Sequence, residues 1–144
     1  MHSFHLNSLA GKSYLENLDI TSNLVKRIEI TSLSSVPSLK TLILSYNPVH
    51  QLSPGVFSHL HYLQYLDLTS SVHKQITPGL FQNLTNLKYL DLSRNNITNL
   101  PVDVFKTLVN LTTLRLNNNL MSSLQLGFFH ELGKLKELYL YREF

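Results

Sequence analysis

Three aspartates, Asp19, Asp67 and Asp91, stand at multiples of 24 residues from one another. Carboxylates on neighbouring strands, about 4.8 Å apart, can share a proton as a catalytic acid–base pair does. Ile43 takes the place between Asp19 and the other two, and no nucleophile–base constellation or phosphate-binding loop accompanies them, so no enzyme is expected. The seven histidines raise metal chemistry, with His59-x-His61 the only close pair besides His2 and His5. Zinc needs three or four converging ligands, and the chain has no cysteine. Neither a metal nor another cofactor is expected.

The spacing of the aspartates belongs to a repeat. Leu87-Lys88-Tyr89-Leu90-Asp91-Leu92-Ser93-Arg94-Asn95 reads L-x-x-L-x-L-x-x-N, and Leu15, Leu39, Leu63, Leu111 and Leu135 open further copies 24 residues apart. Residues 15–38, 39–62, 63–86, 87–110 and 111–134 are full repeats. Residues 1–14 are the second part of an earlier one, with Phe4 and Leu9 on the grid and Lys12 against it. Residues 135–144 hold only a strand, with Glu143 where the asparagine belongs. The third repeat departs most: Ser71 replaces the asparagine and His73 takes an apolar place, so residues 71–76 either bulge outward as a local contact site or, on the plainer reading, form a tolerated irregular loop. The chain is thus one domain over residues 1–144.

In L-x-x-L-x-L the fourth and sixth residues alternate as on a strand and point inward. The asparagine turns the chain, and its amide can satisfy backbone groups of the bend. Phe57, Phe81, Phe105 and Phe129 fill the outer half of successive coils as an aromatic spine. One repeat cannot offset its own ordering entropy, so stability comes from stacking. The expected fold is α/β by broad class: a solenoid with a curved parallel β-sheet on the concave face and loops or short helical turns on the convex face.

The side chains between the inward leucines form the expected ligand surface. Tyrosine and arginine combine contact area with a polar handle, which selects Tyr46, Tyr65, Tyr89, Arg94, Arg115, Tyr139 and Arg142. Stacking places Tyr65 beside Tyr89. The plain alternative is a solvated sheet face in which tyrosine reflects strand propensity. Asn83, Asn96 and Asn110 each begin an Asn-x-Thr acceptor sequence for N-glycosylation. Their plain alternative is that Asn, Leu and Thr are frequent at these places of the repeat.

A net charge of +3, a pI near 9.2 and 15% charged residues are mildly basic. They fall short of a dedicated nucleic-acid binder, and none is expected. No apolar run reaches the about 18 residues of a transmembrane helix, and the first residues lack the basic and apolar regions of a secretory signal. The uncapped ends and the strand edge near Leu135–Leu140 leave self-association open.

These repeats resemble extracellular leucine-rich-repeat proteins of the typical 24-residue class over essentially the whole chain. Tyr65-Leu66-Asp67-Leu68, Leu90-Asp91-Leu92-Ser93-Arg94-Asn95 and Val104-Phe105-Lys106-Thr107-Leu108 look like Toll-like receptor ectodomains, and also like variable lymphocyte receptors of jawless vertebrates. The resemblance implies an extracellular or cell-surface fragment of an innate-immune pattern-recognition receptor that binds a protein or microbial ligand through the solenoid. A structural or adhesion protein of matrix or neuronal type is the alternative. Cysteine-rich caps, usual in these families, are absent from the sequence, which points to a fragment.

Overall fold

The computed structural model describes residues 9–72, 75–125 and 127–142. In chain order its elements are β1 (Asn17–Asp19), β2 (Arg27–Ile28), α1 (Ile30–Ser34), β3 (Thr41–Ile43), β4 (Gln51–Leu52), β5 (Tyr65–Asp67), β6 (Tyr89–Asp91), β7 (Thr113–Arg115) and β8 (Glu137–Tyr139). One six-stranded sheet runs β1-β3-β5-β6-β7-β8, and β2 pairs with β4. Every pairing is parallel, and every register offset is one repeat: Leu18, Leu42, Leu66, Leu90, Leu114 and Leu138 lie in one row. The 24-residue grid and the strand register are therefore the same thing.

The inward rows close the core. Leu42, Leu66, Leu90 and Leu114 are fully buried, as are Leu44, Leu68 and Leu92. At the last coil the same rows open, with Leu138 39% and Leu140 42% exposed, because no coil lies beyond β8 among the described residues. On the outer side Phe57, Phe81, Phe105 and Phe129 stack in sequence, with ring centroids 6.3–6.5 Å apart. Such offset stacks keep the negative ring faces apart while filling the wide half of each coil.

A ladder of side-chain amides turns each coil. The Asn95 amide donates to the Leu68, Leu92 and Ser93 carbonyls at 3.0, 2.9 and 3.2 Å, while its oxygen accepts the Ser71 and Val72 N–H groups at 2.9 and 2.8 Å. Asn47 and Asn119 do the same for their neighbours. Buried peptide groups that the sheet cannot reach are thereby paired.

Ser71 sits in this ladder without breaking it. Its hydroxyl donates to the Leu44 carbonyl at 2.5 Å, the acceptor an asparagine amide would take, and accepts the Asn47 N–H at 3.3 Å. Val72 stays buried and bridges Val49, and Gln75 bridges Asn99. The third coil thus holds its register at Ser71, Val72 and Gln75, inside the stretch read from the sequence as irregular. His73 itself lies outside the described residues, as do Phe4, Glu143 and Phe144.

The convex segments are short because their turns are set locally. Pro54-Gly55 and Pro78-Gly79 place proline before a glycine at φ 71° and 74°, closed by Val56 N–H to Ser53 and Leu80 N–H to Thr77. Proline then glycine is the type II turn pairing, since the second residue needs positive φ. The first full repeat has Ile30-Thr31 there instead, and the chain winds into the five-residue α1.

Candidate ligand-binding face

Two columns of side chains run across the concave sheet. One holds Asn17, Thr41, Tyr65, Tyr89, Thr113 and Glu137, the other Asp19, Ile43, Asp67, Asp91, Arg115 and Tyr139. Each aspartate is anchored by a turn of its own making. Oδ1 of Asp19, Asp67 and Asp91 accepts the backbone N–H two residues on, from Thr21, Thr69 and Ser93, at 2.8–2.9 Å. This local bond fixes the carboxylate over the strand.

Asp91 is the hub of the middle coils. It is 5% exposed. The Tyr89 hydroxyl donates to its Oδ2 at 3.0 Å, and the Arg115 guanidinium stands 3.8 Å from the same oxygen. Its acceptor positions are thus engaged by neighbours, which suits a positioning role rather than proton transfer. Arg115 also lies over the Tyr139 ring, 4.8 Å from the centroid, within cation–π range.

Tyr65 and Tyr89 form the aromatic part. Their rings are 4.3 Å apart between centroids and parallel within 2°. Both are half-buried. Burial raises both phenols above the usual tyrosine range, and the Asp67 and Asp91 charges add to it for Tyr65 as Asp91 does for Tyr89. Both rings therefore stay neutral well past physiological pH, a flat π surface with its hydroxyl edge tied down at Tyr89.

Of the seven selected residues, Tyr65, Tyr89, Arg115 and Tyr139 come together in this one contact chain. The other three are Tyr46, Arg94 and Arg142. They lie in a separate row where the strands exit, with Ser22, Ser70 and Asn118. Five of that row have left-handed backbone: Ser22, Tyr46, Ser70, Arg94 and Asn118, at φ 51–59°. The conformation belongs to the coil, since it recurs whatever the residue. Sequence reasoning set Asp91 aside with the unused carboxylates; the Asp-x-Ser/Thr spacing was the available sign that it would be locked as a brace.

The three glycan acceptors differ. Asn83 and Asn96 are exposed. Asn110 is half-buried: its amide donates to the Thr85 carbonyl at 2.7 Å and its oxygen accepts from Lys134 Nζ at 2.6 Å.

The leucine rich repeat family model matches residues 13–72, 63–106 and 85–142. The chain belongs to the leucine-rich repeat family. That fold is a binding scaffold, not an enzyme fold, and no helix among the described residues is long and apolar enough to cross a membrane. Among solved structures, a crystal structure of a TLR13-ssRNA13 complex superimposes at a TM-score of 0.89 with 30% identity. The match covers 94% of this leucine-rich-repeat chain and 20% of the other, so the chain spans about a fifth of that receptor structure. No curated protein sequence matches. The solenoid thus resembles part of a Toll-like receptor ectodomain.

Proposed function

We propose that this chain is a ligand-binding segment of an extracellular or cell-surface pattern-recognition receptor of Toll-like type, which takes a protein or microbial ligand on its concave face. The stacked Tyr65–Tyr89 pair carries this reading. Two half-exposed aromatic rings are held rigid before any ligand arrives, braced through Asp91 by Arg115. Pre-organised tyrosine and arginine lose little conformational entropy on binding, which is why they dominate contact energies. Glycans at Asn83 and Asn96 fit the same setting, since both side chains are exposed. Intact-mass analysis of protein secreted from animal cells tests this; no added hexose at either site counts against secretion as the native route.

A second reading is single-stranded nucleic acid, the ligand named for the similar TLR13 structure. The tyrosine stack supports it, because bases stack on aromatic faces. The carboxylates of Asp19 and Asp67 on the same face oppose it. Adhesion of matrix or neuronal type uses the same scaffold without immune sensing.

Binders selected from a random peptide library, followed by hydrogen exchange, test the ligand face. The expected result is slowed exchange in β5 to β7. Slowing confined to the convex segments would place the ligand elsewhere.

A further inference from the structure

We infer that the ligand is a polypeptide segment of split charge, basic where it crosses β1 to β5 and acidic where it crosses β6 to β8, with an aromatic or apolar residue between. This rests on the concave sheet being the ligand face and names the chemistry of its partner.

The charges on that face are separated by coil. At the first strands Asp19 and Asp67 present carboxylates that meet no cation among the described residues; their bonds are to Thr21, and to Ser45 and Thr69. The lysine beside them, Lys40, is closed on Glu16 at 2.7 Å. The hydroxyl and N–H of Thr21 hold Asp19 below the usual carboxylate range. Toward the last strands the balance reverses. Lys88, Lys136 and Arg142 are exposed, with no ion-pair partner among the described residues. The carboxylate there, Glu137, accepts the Thr113 hydroxyl at 3.1 Å. Between the two ends Asp91 and Arg115 neutralise one another beside the tyrosine stack.

A ligand matching this order needs opposite charges at its two ends. A phosphodiester chain has one sign throughout, so it gains at the basic end and is repelled at Asp19 and Asp67. A polypeptide meets both ends. The face from β1 to β8 spans five strand spacings of about 4.8 Å, roughly 24 Å, which about seven extended residues cover.

The test is titration of the isotope-labelled chain, read by backbone amide shifts, with end-blocked nonapeptides. One carries two lysines at one end, a central tyrosine and two glutamates at the other. The second replaces the glutamates by lysine, the third the lysines by glutamate, and a nine-nucleotide single-stranded RNA completes the set. The split-charge peptide is expected to bind at least about tenfold tighter than any other probe, an interval resolvable as one decade in Kd. Asp19→Asn with Asp67→Asn should erase its advantage over the acidic peptide. Lys136→Glu with Arg142→Glu should erase its advantage over the basic one. Equal or tighter binding of the acidic peptide or the RNA overturns the inference. If the peptides shift Tyr89 and Arg115 without charge preference, the ligand face stands and the split-charge partner falls. If no probe moves those residues, both fall.

Discussion

The Tyr89 hydroxyl donates to Asp91 Oδ2 at 3.0 Å, inside a site where burial already disfavours the phenolate. A phenol whose folded value is raised binds more protons in the native state than in the unfolded state above the ordinary tyrosine value, about 10. Stability is then fully present below that pH and falls as pH rises through it. Denaturant midpoints should therefore decline above pH 10, and Tyr89→Phe should flatten the decline. An equally steep alkaline limb in Tyr89→Phe would show that Tyr89 does not set it.

The asparagine ladder predicts unequal costs. Asn95→Ala leaves the buried Val72 N–H without its acceptor and the Ser71 N–H with only its 3.3 Å bond to the Leu68 carbonyl, while the Leu68, Leu92 and Ser93 carbonyls keep donors from Ser71, Asn119 and Ser70. Unpaired buried groups cost about 1–3 kcal/mol each before relaxation, so a loss of about 2–4 kcal/mol is expected from urea unfolding. Asn23→Ala lies at the exposed first coil and should cost under about 1 kcal/mol. Similar losses at both positions would remove the ladder as the explanation.

Phe81 is fully buried, with Phe57 on one side and Phe105 on the other at 6.5 and 6.3 Å. Phe81→Ala should destabilise by about 3–5 kcal/mol through the cavity it leaves. Phe81→Leu should be much milder, since Leu9 fills the equivalent place and is buried there. Calorimetry that ranks the two variants alike would mean that the coil collapses around either.

Much of this was legible in the sequence, because one period of 24 residues sets both fold and register. Tyr65 had to neighbour Tyr89, since equal grid places on adjacent parallel strands are adjacent in space. The phenylalanine spine and the asparagine turns follow from the same rule. What the grid hides is conformation within a place. The left-handed backbone at Tyr46 and Arg94 leaves no compositional trace, because Ser22, Ser70 and Asn118 share it. Arg115 reaches both Asp91 and Tyr139 through a long, flexible side chain, a choice that spacing does not encode. The replacement of asparagine by Ser71 read as a break, yet a hydroxyl takes over one of the same acceptors.

Tyr46 is 56% exposed and stands at φ 57°. For L-residues other than Gly, Asn and Asp, that region costs roughly 1–2 kcal/mol. Asn118 already occupies the same place in its own coil. Tyr46→Asn should therefore raise the unfolding free energy by about 0.5–1 kcal/mol. A clear loss of stability would show instead that the Tyr46 ring packs on the sheet.

The central claim is that the braced tyrosine stack receives the ligand. Its most direct test is the affinity of a peptide selected on the native chain, measured by titration against Tyr89→Ala, Arg115→Ala and the double variant, each first shown to be folded. Removing a contact residue of this kind costs about 2 kcal/mol or more in binding, more than tenfold in Kd. The two losses should combine non-additively, because both residues meet at Asp91. Unchanged affinity in the folded double variant would contradict the account.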